Sequence, residues 1–437
     1  MAEVKAIKGG KLIDGTGAEP VEGATVIIEG SKIKAVGKDI EVPRGAKVID
    51  ATGKTVMPGM IDSHLHFFGF LTAGFGGLEG VSRPRELGLI KAIQDARNLL
   101  AAGFTMGRDT GGMNSVFLKG AVAEGTLSGM PRILSAGYVI SQTGGNADLP
   151  YFPLECADAR TSRHHTVLRG DGVTIMADGV EGCLSATRYA LRQGADFIKT
   201  FATGEKDPWE FPYEFQLSVD EMKAIVLAAK GMGAIVTCHS QNSTGTKNAI
   251  LAGVQCIEHA TETNDEVIAL AKEHGTIFVS TLTVGYVSLK MEPQMTPQRW
   301  GYILPLEQMK AARKNREKVW AQGAESYKRI HKAGLILAAG TDCNSTPGGL
   351  EQGKDAKELE LLVEYCDFTP MEAIVAATKH GSMACFMEDQ IGTIESGKFA
   401  DIIVVDGDPL ADIKLLQDVE KIKIVMLGGK VEVDRGL

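Results

Sequence analysis

The sequence predicts an α/β protein: a (β/α)8, TIM-like barrel over residues 58–388, joined to a small composite β-sandwich built from residues 1–57 and 389–437. Three features of the chain predict it. The central region repeats one unit, a helix followed by Gly, an apolar strand and a closing polar residue. The two ends share a different pattern, short alternating runs broken by tight turns. The length, 437 residues, suits a barrel of ~250 residues carrying a smaller module.

At the amino end, Ala24-Thr25-Val26-Ile27-Ile28 and Ile33-Lys34-Ala35-Val36 flank the turn Glu29-Gly30-Ser31-Lys32, a hairpin pattern. At the carboxyl end, Asp401-Ile402-Ile403-Val404-Val405-Asp406 and Ile424-Val425-Met426-Leu427 read as strands, with Gly428-Gly429 turning into Lys430-Val431-Glu432-Val433. The ends of a domain often lie close together, so the two segments are expected to form one domain interrupted by a large insert. Within the insert, Gly103, Gly194, Gly231, Gly253 and Gly334 each follow a helical stretch and precede an apolar run. Gly past a helix end, then a continuously apolar strand, is the junction of a parallel sheet buried on both faces. Further strands are expected near 133–140 and 276–282.

Composition narrows the class. Apolar residues are 44% and charged residues 23% of the chain, which is globular rather than disordered. The net charge is −9 with no dense basic stripe, which argues against nucleic acid as a partner. No window reaches the ~18 apolar residues of a membrane span, and the first residues lack a secretory apolar segment. The seven cysteines are scattered, odd in number and without a C-x-x-C pair, as reduced cytoplasmic thiols are. The expected setting is therefore the cytoplasm, with a small-molecule substrate and further copies of the same chain as partners, no nucleic acid and no membrane.

Ionisable residues fall where strands run out. His64-Leu65-His66 follows the apolar run Val56–Asp62, and residues at i and i+2 of an extended chain face one way, so both imidazoles can address one ion. His239 and His259 each close a strand, one helix-plus-strand unit apart. A lone strand-end His is usually a cap. Two on consecutive strands beside a His-x-His favour a metal site, because a barrel gathers its strand ends at one mouth. Lys199 ends Phe197-Ile198-Lys199. Beside imidazoles and cations its ammonium is repelled and desolvated, and the neutral amine can add carbon dioxide to give a bridging carbamate. Asp342 offers an oxygen ligand and a place to take and return a proton.

With these residues in place the chain resembles the amidohydrolase superfamily, in its prolidase-like, imidazolonepropionase-related branch. The resemblance spans nearly the full length, through Val56-Met57-Pro58-Gly59-Met60-Ile61-Asp62-Ser63-His64-Leu65-His66, Ala195–Lys199, Gly253–His259 and the closing Gly392-Thr393-Ile394-Glu395-Ser396-Gly397. It implies a binuclear centre, usually zinc. One ion takes His64, His66 and Asp342, the other takes His239 and His259, and carbamylated Lys199 with a hydroxide bridges them. It further implies hydroxide attack on a carbon–nitrogen bond, with Asp342 carrying the proton to the leaving nitrogen.

The chain departs from that pattern in two places. Dipeptidases of the branch carry Gly-Gly-His-Gly-Asp after strand three and His-Ala-Tyr after strand five. Here the residues are Gly144-Gly145-Asn146-Ala147-Asp148 and His239-Ser240-Gln241. Asn146 and Gln241 donate hydrogen bonds but do not titrate. Trp209, in the aromatic stretch 208–215, and His164, in a basic loop with Arg160 and Arg163, complete the expected substrate-binding set. The expected reaction is hydrolysis of an amide, carbamate or urea-like bond of a small apolar or aromatic molecule. The alternatives are an Xaa-Pro dipeptidase or carboxypeptidase-like enzyme, a deaminase and a non-catalytic scaffold.

Overall fold

The computed structural model describes residues 3–69, 84–148, 158, 160, 174–204, 214–290 and 306–437. The amino end supplies β1 (Val4–Leu12), β2 (Val21–Glu29), β3 (Lys32–Gly37), β4 (Lys47–Asp50) and β5 (Thr55–Pro58). The central region supplies β6 (Met60–Leu65), β7 (Phe104–Asp109), β8 (Arg132–Ser135), β9 (Val139–Ser141) and β10 (Thr174–Met176). It continues with β11 (Ile198–Phe201), β12 (Val236–Ser240), β13 (Cys256–His259), β14 (Ile277–Ser280) and β15 (Leu337–Ala339). The carboxyl end adds β16 (Ile402–Val405), β17 (Ile422–Leu427) and β18 (Lys430–Asp434).

The two ends of the chain join. β18, β17, β16, β5, β1, β2 and β3 lie side by side in one eight-stranded sheet, with β4 also paired to β1. Where sequence alternation is weakest, both faces are covered. Ile402 and Val404 of β16 pack with Ile7, Val26 and Ile28 in a core of the sheet's own, while Ile403 and Val405 join the central core with Phe104 and Leu100. A strand clad on both faces needs apolar residues at every position.

The central strands run parallel, as β10-β9-β11-β12-β13-β14-β15 and as β6-β7-β8. Both edges of the shorter sheet make backbone hydrogen bonds to the longer one. Asp196 N, just before β11, donates to Ser135 O at the end of β8 (2.7 Å), and Thr341 N and Asp342 N donate to His64 O of β6 (3.0 and 2.7 Å). The expected strand near 133–140 is present as β8 and β9, separated at residues 136–138. The left-handed glycines fall as the sequence pattern predicts at 103, 194, 253 and 334. Before β12 that residue is Gly233, and Gly231 is still helical (φ −62°), because the helix Val219–Lys230 is followed by one more turn. Among the described residues no helix is long and apolar enough to cross a membrane.

Candidate metal-dependent active site

The run from Val56 to Asp62 is two strands rather than one. β5 belongs to the terminal sheet, the chain crosses at Gly59, and β6 enters the parallel sheet. Asp62, His64 and His66 then share one face by simple alternation. His64 is 1% exposed and its Nδ1 lies 2.7 Å from Glu258 Oε2, while His66 Nδ1 lies 2.8 Å from Gly111 O. A carbonyl or a carboxylate can only accept, so each Nδ1 carries a proton and each Nε2 is the atom turned toward the site. Both Nε2 atoms face Asp342, whose Oδ1 is 3.2 Å from His66 Nε2 and 3.8 Å from His64 Nε2. The phenyl ring of Phe68 stacks on His66 at 4.6 Å.

His239, fourth in β12, brings its ring centroid within 4.4 Å of His259, whose ring is 4.7 Å from His64. Lys199 is the second residue of β11, one layer deeper than the strand end that the sequence suggests. In register it pairs with Thr237, and Phe201 pairs with His239. Its long stem compensates for the depth. Its Nζ is 5.6 Å from the Phe201 ring, which in turn lies 5.6 Å from His239. Four imidazoles, one amine and one carboxylate from five strand ends thus form one buried cluster.

The cluster fits a cation. His64, His66 and Asp342 offer ligand atoms all within 4.8 Å of one another. Among the described residues, Asp342 Oδ1 and His239 Nε2 are buried without a hydrogen-bond partner, a costly state for polar atoms unless something else fills the space between them. Electrostatics divide the cluster. Burial opposes the imidazolium of His66, but the Asp109 and Asp342 carboxylates outweigh it and push its pKa up to about 9. Burial, then the Lys199 ammonium, drives His239 down to about 3. Burial, with neighbouring cationic groups, holds His64 and His259 well below the usual imidazole range, and burial also lowers Lys199.

Beneath the cluster lie residues that the sequence reading passed over. Glu258 accepts from Arg108 Nη2 (2.5 Å) and from the Thr237 hydroxyl, and Arg108 Nε and Nη1 donate to Ser63 O (2.5 Å) and Ala384 O (2.8 Å). Arg108 and Glu258 are fully buried. Each is a charged residue within a buried strand, where barrel interiors ordinarily place Val, Ile or Leu.

The remaining candidates are spread around the mouth. Asn146 lies in the turn after β9, with its N–H on Gln216 Oε1 at 3.0 Å. Gln241 follows β12, its N–H on Thr203 Oγ1 (2.9 Å) and its carbonyl taking the Thr261 hydroxyl (3.0 Å). Trp209 and His164 lie outside the described residues. His331 stacks on Phe368 at 3.9 Å, and His380 Nδ1 lies 3.0 Å from Leu337 O.

Known proteins resemble this chain over most of its length. The chain is similar to ochratoxinase of Aspergillus niger, 31% identical over 98% of this chain and 87% of that one. The crystal structure of that enzyme superposes with a TM-score of 0.86 at 28% identity, covering 100% of this chain and 97% of the other. A Xaa-Pro dipeptidase crystallised with methionine in its active site gives 0.80 at 30% identity, covering 98% and 99%. Imidazolonepropionase of Streptomyces coelicolor is 25% identical over 88% of this chain and 86% of its own. The model of the amidohydrolase family matches residues 55–431, and the chain belongs to that family of hydrolases acting on carbon–nitrogen bonds.

Proposed function

We propose that the protein is a binuclear amidohydrolase whose substrate is a small amide, carbamate or urea-like molecule with an apolar or aromatic part. The observation that carries the reading is the convergence of His64, His66 and Asp342, whose ligand atoms all lie within 4.8 Å of one another with His66 Nε2 3.2 Å from Asp342 Oδ1. One ion is assigned to His64, His66 and Asp342 and the second to His239 and His259. The imidazole-and-carboxylate donor set suits zinc. Burial of Lys199 favours the neutral amine, which adds carbon dioxide at Nζ, releases a proton and becomes the carbamate shared by both halves. When bound, such ions supply an activated water at neutral pH and polarise the scissile carbonyl.

The protein's own residues do the rest. Asp342, already desolvated, takes the proton of the attacking water and passes it to the departing nitrogen. Phe68 and Phe201 wall the cluster and exclude bulk water. Asn146 and Gln241 present neutral hydrogen-bonding groups where the dipeptidases carry an imidazole and a phenol, which favours a substrate without a peptide's charged ends. Trp209 and His164 are kept as substrate contacts. The likeness to a Xaa-Pro dipeptidase supports the second reading, an Xaa-Pro dipeptidase or carboxypeptidase-like enzyme.

The hydrogen bonds on both edges of the β6–β8 sheet support a closed eight-strand barrel over 58–388, with β8 and β9 as one interrupted stave and β10 an extra strand paired to β9. The shared core of β1, β2, β16 and β17 supports a sandwich of 1–57 with 389–437. We keep the homo-oligomer and the cytoplasmic setting in the same proposal.

The test is a panel of N-acyl amino acids, dipeptides and aromatic amides, run on protein whose metal content has been measured. The expected outcome is two ions per chain and preference for aromatic amides. Activity confined to Xaa-Pro dipeptides would overturn the substrate class in favour of the second reading.

A further inference from the structure

Alternation along β13 poses a problem for His259. Glu258 points inward, to His64, Arg108 and Thr237. Its neighbour in a regular strand therefore points outward, away from the cluster. The backbone breaks the alternation. His259 and Ala260 both take left-handed conformations, φ 67° and 44°, which residues with a Cβ avoid. That turn swings the imidazole to 4.4 Å from His239.

The helix Leu306–Lys332 holds the turn in place. Tyr327, 1% exposed, donates its hydroxyl proton to His259 O and accepts from Thr281 N (3.2 Å). Thr281 Oγ1 lies 2.8 Å from His259 Nδ1. The result is a closed ring from the His259 carbonyl through the phenol and Thr281 back to the His259 imidazole. One residue earlier on the helix, Ser326 Oγ donates to Ala260 O (2.6 Å) and meets Thr263 Oγ1 (2.8 Å). Successive carbonyls of the strained pair are thus each held by a hydroxyl from the same helix.

We propose that Tyr327 is a positioning residue that selects the inward rotamer and backbone state of His259, and so governs retention of the ion assigned to His239 and His259. The inference rests on the two-ion reading. The single hydroxyl proton of Tyr327 is committed to His259 O, so its loss leaves the half formed by His64, His66 and Asp342 without a direct change.

The test compares Tyr327→Phe, which keeps the packed ring and removes only the hydroxyl, with the unaltered protein. Both are loaded with zinc and followed in excess chelator for ions released against time. The unaltered protein is expected to hold two ions per chain. Tyr327→Phe is expected to release one of them about 10- to 100-fold faster while the other keeps its rate, within the range set by residues that orient metal ligands. Adding Ala260→Gly, which removes the conformational objection at that position, is expected to restore slow release. Loss of packing alone would gain nothing from a glycine there.

Two ions released at unchanged rates from Tyr327→Phe, or both accelerated equally, overturns the clamp. If Tyr327→Phe does not fold, Thr281→Val cuts the imidazole side of the ring, and unchanged release from that variant overturns it equally. An unaltered protein holding fewer than two ions overturns the two-ion reading, and the clamp with it.

Discussion

The two halves of the cluster are built by opposite means. His64 and His66 come from the end of β6 with Nδ1 protons held by fixed acceptors, and they face the Asp342 carboxylate; the Asp109 and Asp342 carboxylates raise His66 to about 9, while burial holds His64 low. His239 and His259 face the Lys199 amine, repel protons, and need a backbone contortion to meet at all. The first half carries its own carboxylate, Asp342. The second lacks negative charge of its own, and conversion of Lys199 to a carbamate would supply it.

The largest expected effect breaks the second half. Lys199→Ala removes the group on which its charge depends, and turnover is expected to fall by at least about 10³-fold on the scale of removed catalytic groups. Acetate or another small carboxylate is expected to restore part of it, since the missing piece is an anion in a defined gap. Undiminished turnover in steady-state assays of the variant would remove the bridging role.

A smaller effect is expected from the first half. Glu258→Gln keeps shape and one hydrogen bond to His64 but deletes the charge paired with Arg108. Metal affinity, read by competition with a chromophoric chelator, is expected to drop about 10- to 100-fold. The ion held by His64 should account for the loss. An equal loss from both halves would contradict the division drawn above.

Per group and per pH unit, the smallest effect is on stability. In metal-free protein the imidazoles of His239, at about 3, and of His64 and His259, well below the usual range, stay neutral when folded. The unfolded chain binds protons there below pH ~6.5. Unfolding free energy is therefore expected to decrease as pH falls from ~6.5 toward 3, by roughly 1 kcal/mol per pH unit for each such group. Asp355, raised to about 6 by burial, works the other way and offsets part of the slope. Denaturant titrations at several pH values check it, and zinc-loaded protein should show a flatter profile. A metal-free protein most stable near pH 4 would refute the assignment of neutral histidines.

Much of this was legible in the chain. Spacing placed His64 and His66 on one face, and the helix–Gly–strand pattern placed His239, His259 and Asp342 at neighbouring strand ends. Three things were not. The depth of Lys199 depends on where β11 begins, which short apolar runs leave open. The inward turn of His259 is a left-handed pair without glycine, so no residue type announces it. The Glu258–Arg108 pair joins β13 to β7, strands that share no edge, so nothing along the chain gives either charge its partner. The junction at Gly59 was hidden for a related reason: Val56–Asp62 is apolar throughout, although its two halves serve different sheets.

That junction ties the carboxyl terminus to catalysis. β5 pairs along its whole length with β16, from Pro58–Ile402 to Thr55–Val405, and Gly59 N donates to Asp401 O at 2.9 Å before Met60 N takes up Gly103 O. A methyl group on Gly59 would lie 2.1 Å from Thr105 Oγ1, so the link has no slack to absorb movement. The final fifty residues therefore act as a clasp on the segment that delivers His64. Trimming them would unmoor an imidazole more than three hundred positions upstream, so the tail cannot be treated as a dispensable appendage.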